Sequence, residues 1–288
     1  MQKLKILVTG SGGQLGRSIK DIAVFYPDFE FFFLSRQDMP VEQKAETEAV
    51  FDTIRPQFCI NCAAYTAVDK AESDEKNAFL INAEGVKILA DACAARQVKF
   101  LHISTDYVFN GRSPIPYKEE AEVDPINVYG ASKARGEALS MLHNAETIII
   151  RTSWVYSEYG NNFVKTMKRL IREKEELSIV KDQVGAPTYA KDLAHAIMHI
   201  INSRLWLPGI YHYCNEGNIS WYDFAMAIKD IAGGGCILHP VPATAYPTPA
   251  RRPSFSLLDT SKIRETYGVN IPAWKESLRM CIYNMQQT

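Results

Sequence analysis

The chain has no apolar stretch approaching the ~20 consecutive residues that a bilayer-crossing helix needs, so a membrane span is not expected. It has no excess of charge either: 32 Lys and Arg stand against 33 Asp and Glu, for a formal net charge of -1. A surface built to neutralise nucleic-acid phosphates or an anionic membrane is therefore not expected, and an acidic ligand must be met by a few local basic residues. Cysteine is scarce, with 6 unevenly scattered in 288 residues, which excludes a disulfide framework and suggests a reducing compartment. Cys59 and Cys62 do form a C-x-x-C, but they flank an apolar strand-like segment and no second ligand pair follows. Buried structural thiols are expected there, not a metal or redox centre. Internal repeats and low-complexity linkers are missing too. The opening 1–10 reads as a strand and glycine turn, not a secretory leader, so the cytoplasm is the expected compartment.

What is present is ample material for a packed core: 47% hydrophobic and 23% charged residues, in a chain long enough for one large domain or two closely joined ones. Short apolar runs at 3–8, 30–34, 58–61, 99–104 and 147–152 read as strands. Helical patterns lie between them, notably at 14–23, 45–54 and 74–95, where Ala78, Ile81, Gly85, Ile88, Leu89 and Ala92 recur at three- and four-residue steps. Alternating buried strands and helices predict a parallel, doubly wound sheet. Beyond Tyr156 the pattern becomes irregular, with helices expected at 162–174 and 191–203, strands at 177–180 and 211–214, and a proline-rich stretch at 240–253. The expected fold is thus α/β: a Rossmann-type sheet over 1–155, and a smaller C-terminal substrate-binding lobe over 156–288 with some segments returning to the first domain. Two lobes without a linker imply a shared cleft.

The first chemical motif is Gly10-Ser11-Gly12-Gly13-Gln14-Leu15-Gly16, placed where the first strand turns into the first helix. Gly10 suits the turn, Gly13 lets backbone approach a pyrophosphate, and Gly16 permits close packing of helix on sheet. The helix N-terminus adds free N–H groups and a positive dipole end, so a dinucleotide is the expected ligand. An acidic residue is expected about 20 positions later to receive the adenosine ribose hydroxyls. The chain there reads Leu34-Ser35-Arg36-Gln37-Asp38. Ser35 and Arg36 suit a 2′-phosphate and favour NADPH, while Asp38 leaves NADH open.

The second motif is Tyr129-Gly130-Ala131-Ser132-Lys133, on a helix expected to begin near Pro125. Residues four apart share a helix face, so the Lys133 ammonium is expected near the Tyr129 phenol, favouring phenolate and bringing a pKa of ~10 closer to neutrality. Ser104-Thr105-Asp106-Tyr107 closes the fourth strand. Ligands of open parallel sheets sit at the carboxyl ends of strands, so the Thr105 hydroxyl is positioned to meet a carbonyl that Tyr129 protonates.

With these residues in this order, the chain resembles the short-chain dehydrogenase/reductase superfamily, in its extended branch acting on nucleotide sugars. Within that branch it is most similar to reductases of dTDP-linked 4-dehydro sugars. The resemblance is carried by the glycine turn, 61–72 (NCAAYTAVDKAE), 104–109 (STDYVF), 128–133 (VYGASK), 151–156 (RTSWVY), Asp182-Gln183 with Gly185 and Pro187-Thr188, and Arg252-Pro253 with Ser256 and Leu258. It implies Tyr129 as proton donor, Lys133 as its partner and a ligand of the nicotinamide ribose, and Thr105 as an aid at the carbonyl. It also implies cofactor contact by Gly13, Gln14, Leu15, Asp38, Ala63, Ala64, Tyr65 and Thr66, and substrate contact by Asp106 and Trp154.

Val68 and Asp69 are expected beside the same cleft, with helix capping the alternative for Asp69. Trp154 suits a sugar or base, or else the core. Arg251 and Arg252 are candidates for a diphosphate, or are surface cations. Some members are thought to dimerise through a magnesium site that uses a glutamate on the first helix. Here Arg17-Ser18-Ile19 holds no carboxylate, so no metal is expected, and the chain is expected to be a monomer or homodimer.

The rivals are an epimerase or dehydratase, and a non-catalytic NADP-binding regulatory subunit. A dehydratase would use an Asp-Glu pair where this chain has Asp106-Tyr107, and a regulatory protein has less need of Thr105, Tyr129 and Lys133 together.

Overall fold

The computed structural model describes residues 3–287, so Met1 and Gln2 of the expected opening segment lie outside the described residues. Five parallel strands, β1 (Leu4–Thr9), β2 (Phe29–Leu34), β3 (Phe58–Asn61), β4 (Lys99–Thr105) and β5 (Thr147–Thr152), form one sheet with an edge strand, Gly209–His212. The order is Gly209–His212, β5, β4, β3, β1, β2. This is the expected doubly wound α/β sheet. The chain runs outward from β1 to β2 and then crosses back to β3, and the crevice at that reversal is where such sheets bind ligands.

The strands read as unbroken apolar runs because both faces are covered. Ile6, Val8, Ile60, Leu101, Ile148 and Ile150 enter one core with Leu193 and Ile197 of the Ala190–Asn202 helix, beside α1 (Gln14–Ile22). Leu7, Cys59 and Phe100 point the other way, into a core with Phe51 of α2 (Lys44–Ile54) and with Val86 and Leu89 of the Gly85–Ala95 helix. The same alternation separates the two strand-end thiols: Cys59 lies in the second core and Cys62 packs against the first. Cys59 on β3 and Cys62 just past its end thus serve different cores, an arrangement that suits packing and not a shared ion.

Three local departures from the sequence-based expectations have physical causes. The helix expected over 74–95 contains a π-helical stretch, Leu80–Glu84, which turns Asn82 inward. There Asn82 receives the Tyr65 N–H (2.8 Å) and donates to Tyr65 O (3.0 Å) and Ser132 Oγ (2.9 Å). The helix expected from Pro125 begins at Val128, because Asn127 caps it by accepting the Gly130 N–H at 2.7 Å. The strand expected at 211–214 spans Gly209–His212 and pairs with β5.

The remaining chain builds a third core, in which Tyr156 meets Met167, Ile171, Phe224, Ile228 and Leu278 of the Phe163–Glu173, Trp221–Ala232 and Trp274–Gln287 helices. Among the described residues, no helix is long and apolar enough to cross a membrane.

Candidate active site

A cleft of about 830 Å³ opens over the carboxyl ends of β1, β3, β4 and β5 and is roofed by Trp154, Gly160 and Trp221. Its floor begins at the glycine turn. Gly10 takes a left-handed backbone conformation (φ +61°), and a Cβ there would lie 2.6 Å from Ala63 N. A Cβ on Gly16 would lie 2.6 Å from Gly10 O. Both glycines are therefore required for the turn to close against β3 and leave the first N–H groups of α1 uncovered.

Gly10, Gly13, Gln14 and Leu15 line the cleft, as do Gly12, Ala63, Ala64 and Thr66. Gln14 also ties the turn to the roof: its Oε1 accepts from Ser157 Oγ (3.0 Å) and Asn162 Nδ2 (2.9 Å), and its Nε2 donates to Val155 O (3.2 Å). The Tyr65 hydroxyl is directed to Asp74 at 3.0 Å.

At the end of the cleft beside β2, Ser35 and Arg36 line the wall together with Glu42. Arg36 is 73% exposed and pairs with the 11% exposed Glu42 at 2.9 Å. Asp38 folds back to accept from Ser35 N (2.8 Å) and Oγ (2.6 Å), bonds that hold its carboxyl below the usual range. Sequence reasoning missed Glu42, which belongs to no motif and is brought to Arg36 by the turn that follows β2.

At the opposite end, Thr105, Asp106, Tyr129 and Lys133 converge. Thr105 caps the turn after β4 by accepting Tyr107 N (3.2 Å), and its hydroxyl donates to Asp106 Oδ1 (3.1 Å). Burial pushes the Asp106 carboxyl up to about 6. Its Oδ2 and the Ser104 hydroxyl are buried without a hydrogen-bond partner. Unsatisfied polar atoms facing a cleft are the mark expected where a polar ligand completes the site.

Burial also pushes the Tyr129 phenol up to about 12, with the Thr105 hydroxyl opposing and Asp106 reinforcing. The hydrogen bonds of Lys133 do not include this phenol. Lys133 Nζ donates to Ile103 O at 2.6 Å and lies 3.2 Å from His102 Nε2, both on β4, while Lys133 still lines the cleft. Tyr129 is accordingly a protonated phenol at neutral pH and not a stabilised phenolate.

Trp154 follows β5 in a left-handed conformation (φ 47°), strain of a kind that gathers at functional sites. Its indole stacks on Trp221 at 3.7 Å and 14°. Trp221 was not anticipated, although Ser220 and Asp223 form a capping box that marks a helix start at that point. Val68 lines the cleft. Asp69 does not cap its helix; it pairs with Arg252 through two bonds of 3.1 and 2.8 Å and accepts Ala250 N at 3.2 Å. Arg252 is thus held by Asp69 and is not a free surface cation, and the pair fastens the proline-rich tail beside Val68.

The chain matches the family model described as "RmlD substrate binding domain" over residues 4–287. A dTDP-4-dehydrorhamnose reductase of Aggregatibacter actinomycetemcomitans is 42% identical over 285 residues, covering 96% of this chain and 97% of that protein. A crystal structure of a dTDP-4-dehydrorhamnose reductase from Clostridium acetobutylicum superposes with a TM-score of 0.95 at 39% identity, covering 98% of this chain and 100% of the other. One from Bacillus anthracis, in complex with NADP, superposes with a TM-score of 0.94 at 37% identity, covering 98% and 99%.

Proposed function

The chain belongs to the dTDP-4-dehydrorhamnose reductase family, and from that premise we propose that it reduces the C4 ketone of dTDP-4-dehydro-L-rhamnose to dTDP-L-rhamnose, a step in rhamnose synthesis, with NADPH as reductant. The observation that carries the reading is the convergence of a protonated Tyr129, the Thr105 hydroxyl and the unpartnered Asp106 Oδ2 at one end of a cleft that begins at a bare helix N-terminus.

The residues fit the dinucleotide: the glycine turn admits a pyrophosphate where no side chain fits, and Ala63, Ala64 and Thr66 let a planar group approach the sheet edge. Arg36, once released from Glu42, suits a 2′-phosphate. Bound there, NADPH supplies the hydride that adds to the ketone carbon.

The chain's own residues handle the proton and the alignment. Thr105, its hydroxyl turned from Asp106 Oδ1, donates toward the carbonyl oxygen and orients it. Tyr129 transfers its phenolic proton to that oxygen as the carbon–oxygen double bond becomes single. Lys133 binds the nicotinamide ribose and returns a proton to the phenolate. Asp106, Val68 and the Trp154–Trp221 stack hold the sugar nucleotide, while the Asp69–Arg252 pair fixes the tail segment at the border of the cleft. The same reading makes the protein a cytoplasmic monomer or homodimer, with no metal in the reaction.

The reading is tested by following nicotinamide absorbance while dTDP-4-dehydro-L-rhamnose is supplied. NADPH is expected to be consumed mole for mole with the sugar, and NADH to be used less well. Conversion of the sugar without net consumption would mean a redox-neutral epimerase, and cofactor binding without turnover would favour a regulatory subunit.

A further inference from the structure

Beneath the cleft a file of buried polar groups crosses the sheet. Thr9 on β1 donates to Asn61 Oδ1 on β3 at 2.6 Å, Asn61 Nδ2 lies 3.0 Å from His102 Nδ1 on β4, and His102 Nε2 lies 3.2 Å from Lys133 Nζ. All four residues are 2% exposed or less.

One backbone group fixes the sense of the file. The Ala63 N–H is 3.1 Å from the Asn61 side-chain atom that also receives Thr9, and a donor there requires that atom to be the amide oxygen. The other amide atom is then NH2, which donates to His102 Nδ1. An imidazole whose Nδ1 accepts carries its proton on Nε2 when neutral. That proton points at Lys133. An ammonium would set donor against donor across 3.2 Å, whereas a neutral amine presents the lone pair that the Nε2–H needs, while still donating to Ile103 O.

We infer that His102 is a positioning residue: locked by Asn61 in its Nε2–H tautomer, it opposes the ammonium form of Lys133 and so sets the upper pH limit at which the Tyr129–Lys133 pair works. This rests on the proposed roles of Tyr129 and Lys133 only for its kinetic consequence. Burial acts on Lys133 in the same direction. Burial lowers Lys133 to about 8 against the opposing pull of Glu137 on its own helix and Cys62 at the end of β3. Burial and Lys133 together hold His102 well below the usual imidazole range. Tyr129, one turn earlier on the same helix, is protonated and adds no charge. Glu137 is neutralised by its bidentate pair with Arg151 from β5, and the ring against His102 is Phe100, 6.2 Å away and uncharged. Asp106, just past β4, is engaged with the Thr105 hydroxyl and is not among the charges that act on Lys133, so no unpaired carboxylate offsets the opposed donors.

The sign follows. If activity needs the Lys133 proton, kcat/KM falls as pH rises through about 8, and any change that lets Lys133 keep its proton moves that limb upward.

The test uses the full chain labelled with 15N in its histidine rings, with the His102 signal assigned by its loss in His102→Gln. Long-range 1H–15N spectra between neutral and mildly alkaline pH are expected to show an unprotonated Nδ1 and a protonated Nε2. An Nδ1–H tautomer or an imidazolium would overturn the inference, and this readout holds whatever the sugar substrate proves to be.

Asn61→Asp places an acceptor at Nδ1. It is expected to reverse the tautomer and raise the alkaline limb by about one unit or more. His102→Gln, whose amide is free to turn its oxygen to Lys133, is expected to raise the limb likewise and keep a substantial kcat. A limb unmoved in both variants, with both folded, would show that His102 has a packing role alone.

Discussion

Tyr129→Phe is expected to lower kcat by about 10²–10⁴-fold with little change in thermal stability or in the Kd for NADPH. Only the phenolic oxygen is removed. The ring, which meets Tyr107 edge-on at 5.8 Å, and the Asn127 cap that starts the helix both remain. No other phenol takes over readily: burial, Asp106 and Tyr129 itself push Tyr107 well above the ordinary tyrosine range. Asp106, pushed up to about 6, is mostly ionised at neutral pH and is a poor acid there. The variant is to be compared with wild type in kcat, KM, melting temperature and cofactor titration. A wild-type rate would remove Tyr129 from the role of proton donor; a lost rate together with a lost fold would be traced by the melting curve.

The largest effect on stability is expected from Arg151→Met. Arg151 is 1% exposed on β5, and its guanidinium spans Glu137 through bonds of 2.9 and 2.7 Å while donating to Glu119 O at 3.3 Å. The pair fastens the Tyr129–Lys133 helix to the sheet one turn beyond Lys133. Removing the guanidinium strands the Glu137 carboxylate in a site where it is 4% exposed, at a cost of about 3–5 kcal/mol. Arg151→Met combined with Glu137→Leu is expected to recover much of that loss, because no unpaired charge is then left inside. Urea denaturation of the single and double variants measures both quantities. A single variant as stable as wild type would show that the pair is solvated and contributes little.

The reading of the sequence went furthest where local chemistry and topology agree. The five strands were visible as uninterrupted apolar runs because the sheet is covered on both faces, and the glycine turn, Thr105 and Tyr129 follow from the rule that such sheets bind at the carboxyl ends of strands. What was not visible depended on residues far apart in the chain. The four-residue spacing put Lys133 on the Tyr129 face, but His102 and Ile103 on β4 determine where its amine points. Asp69 and Arg252 are separated by 183 positions, and no local pattern announces their pairing. Asp38 met the spacing rule for a ribose acceptor, yet Ser35 lies close enough to draw its carboxylate into the turn. Trp221 was hidden in a different way: it is remote from every motif, and only the fold brings it to the roof of the cleft, stacked on Trp154. The π-helical stretch at Leu80–Glu84 arises from the bonds of Asn82 to Tyr65 and Ser132, and these contacts outweigh the regular helical periodicity of the segment.

The most direct measurement is transfer of label. The protein is incubated with NADPH deuterated at the transferable C4 position and with dTDP-4-dehydro-L-rhamnose, and the sugar is examined by mass spectrometry and NMR. One deuterium on C4 of the rhamnosyl ring, with a solvent-derived proton on its oxygen, is the predicted result. A converted sugar carrying no deuterium at C4 would contradict hydride delivery from the reduced cofactor to the ketone carbon.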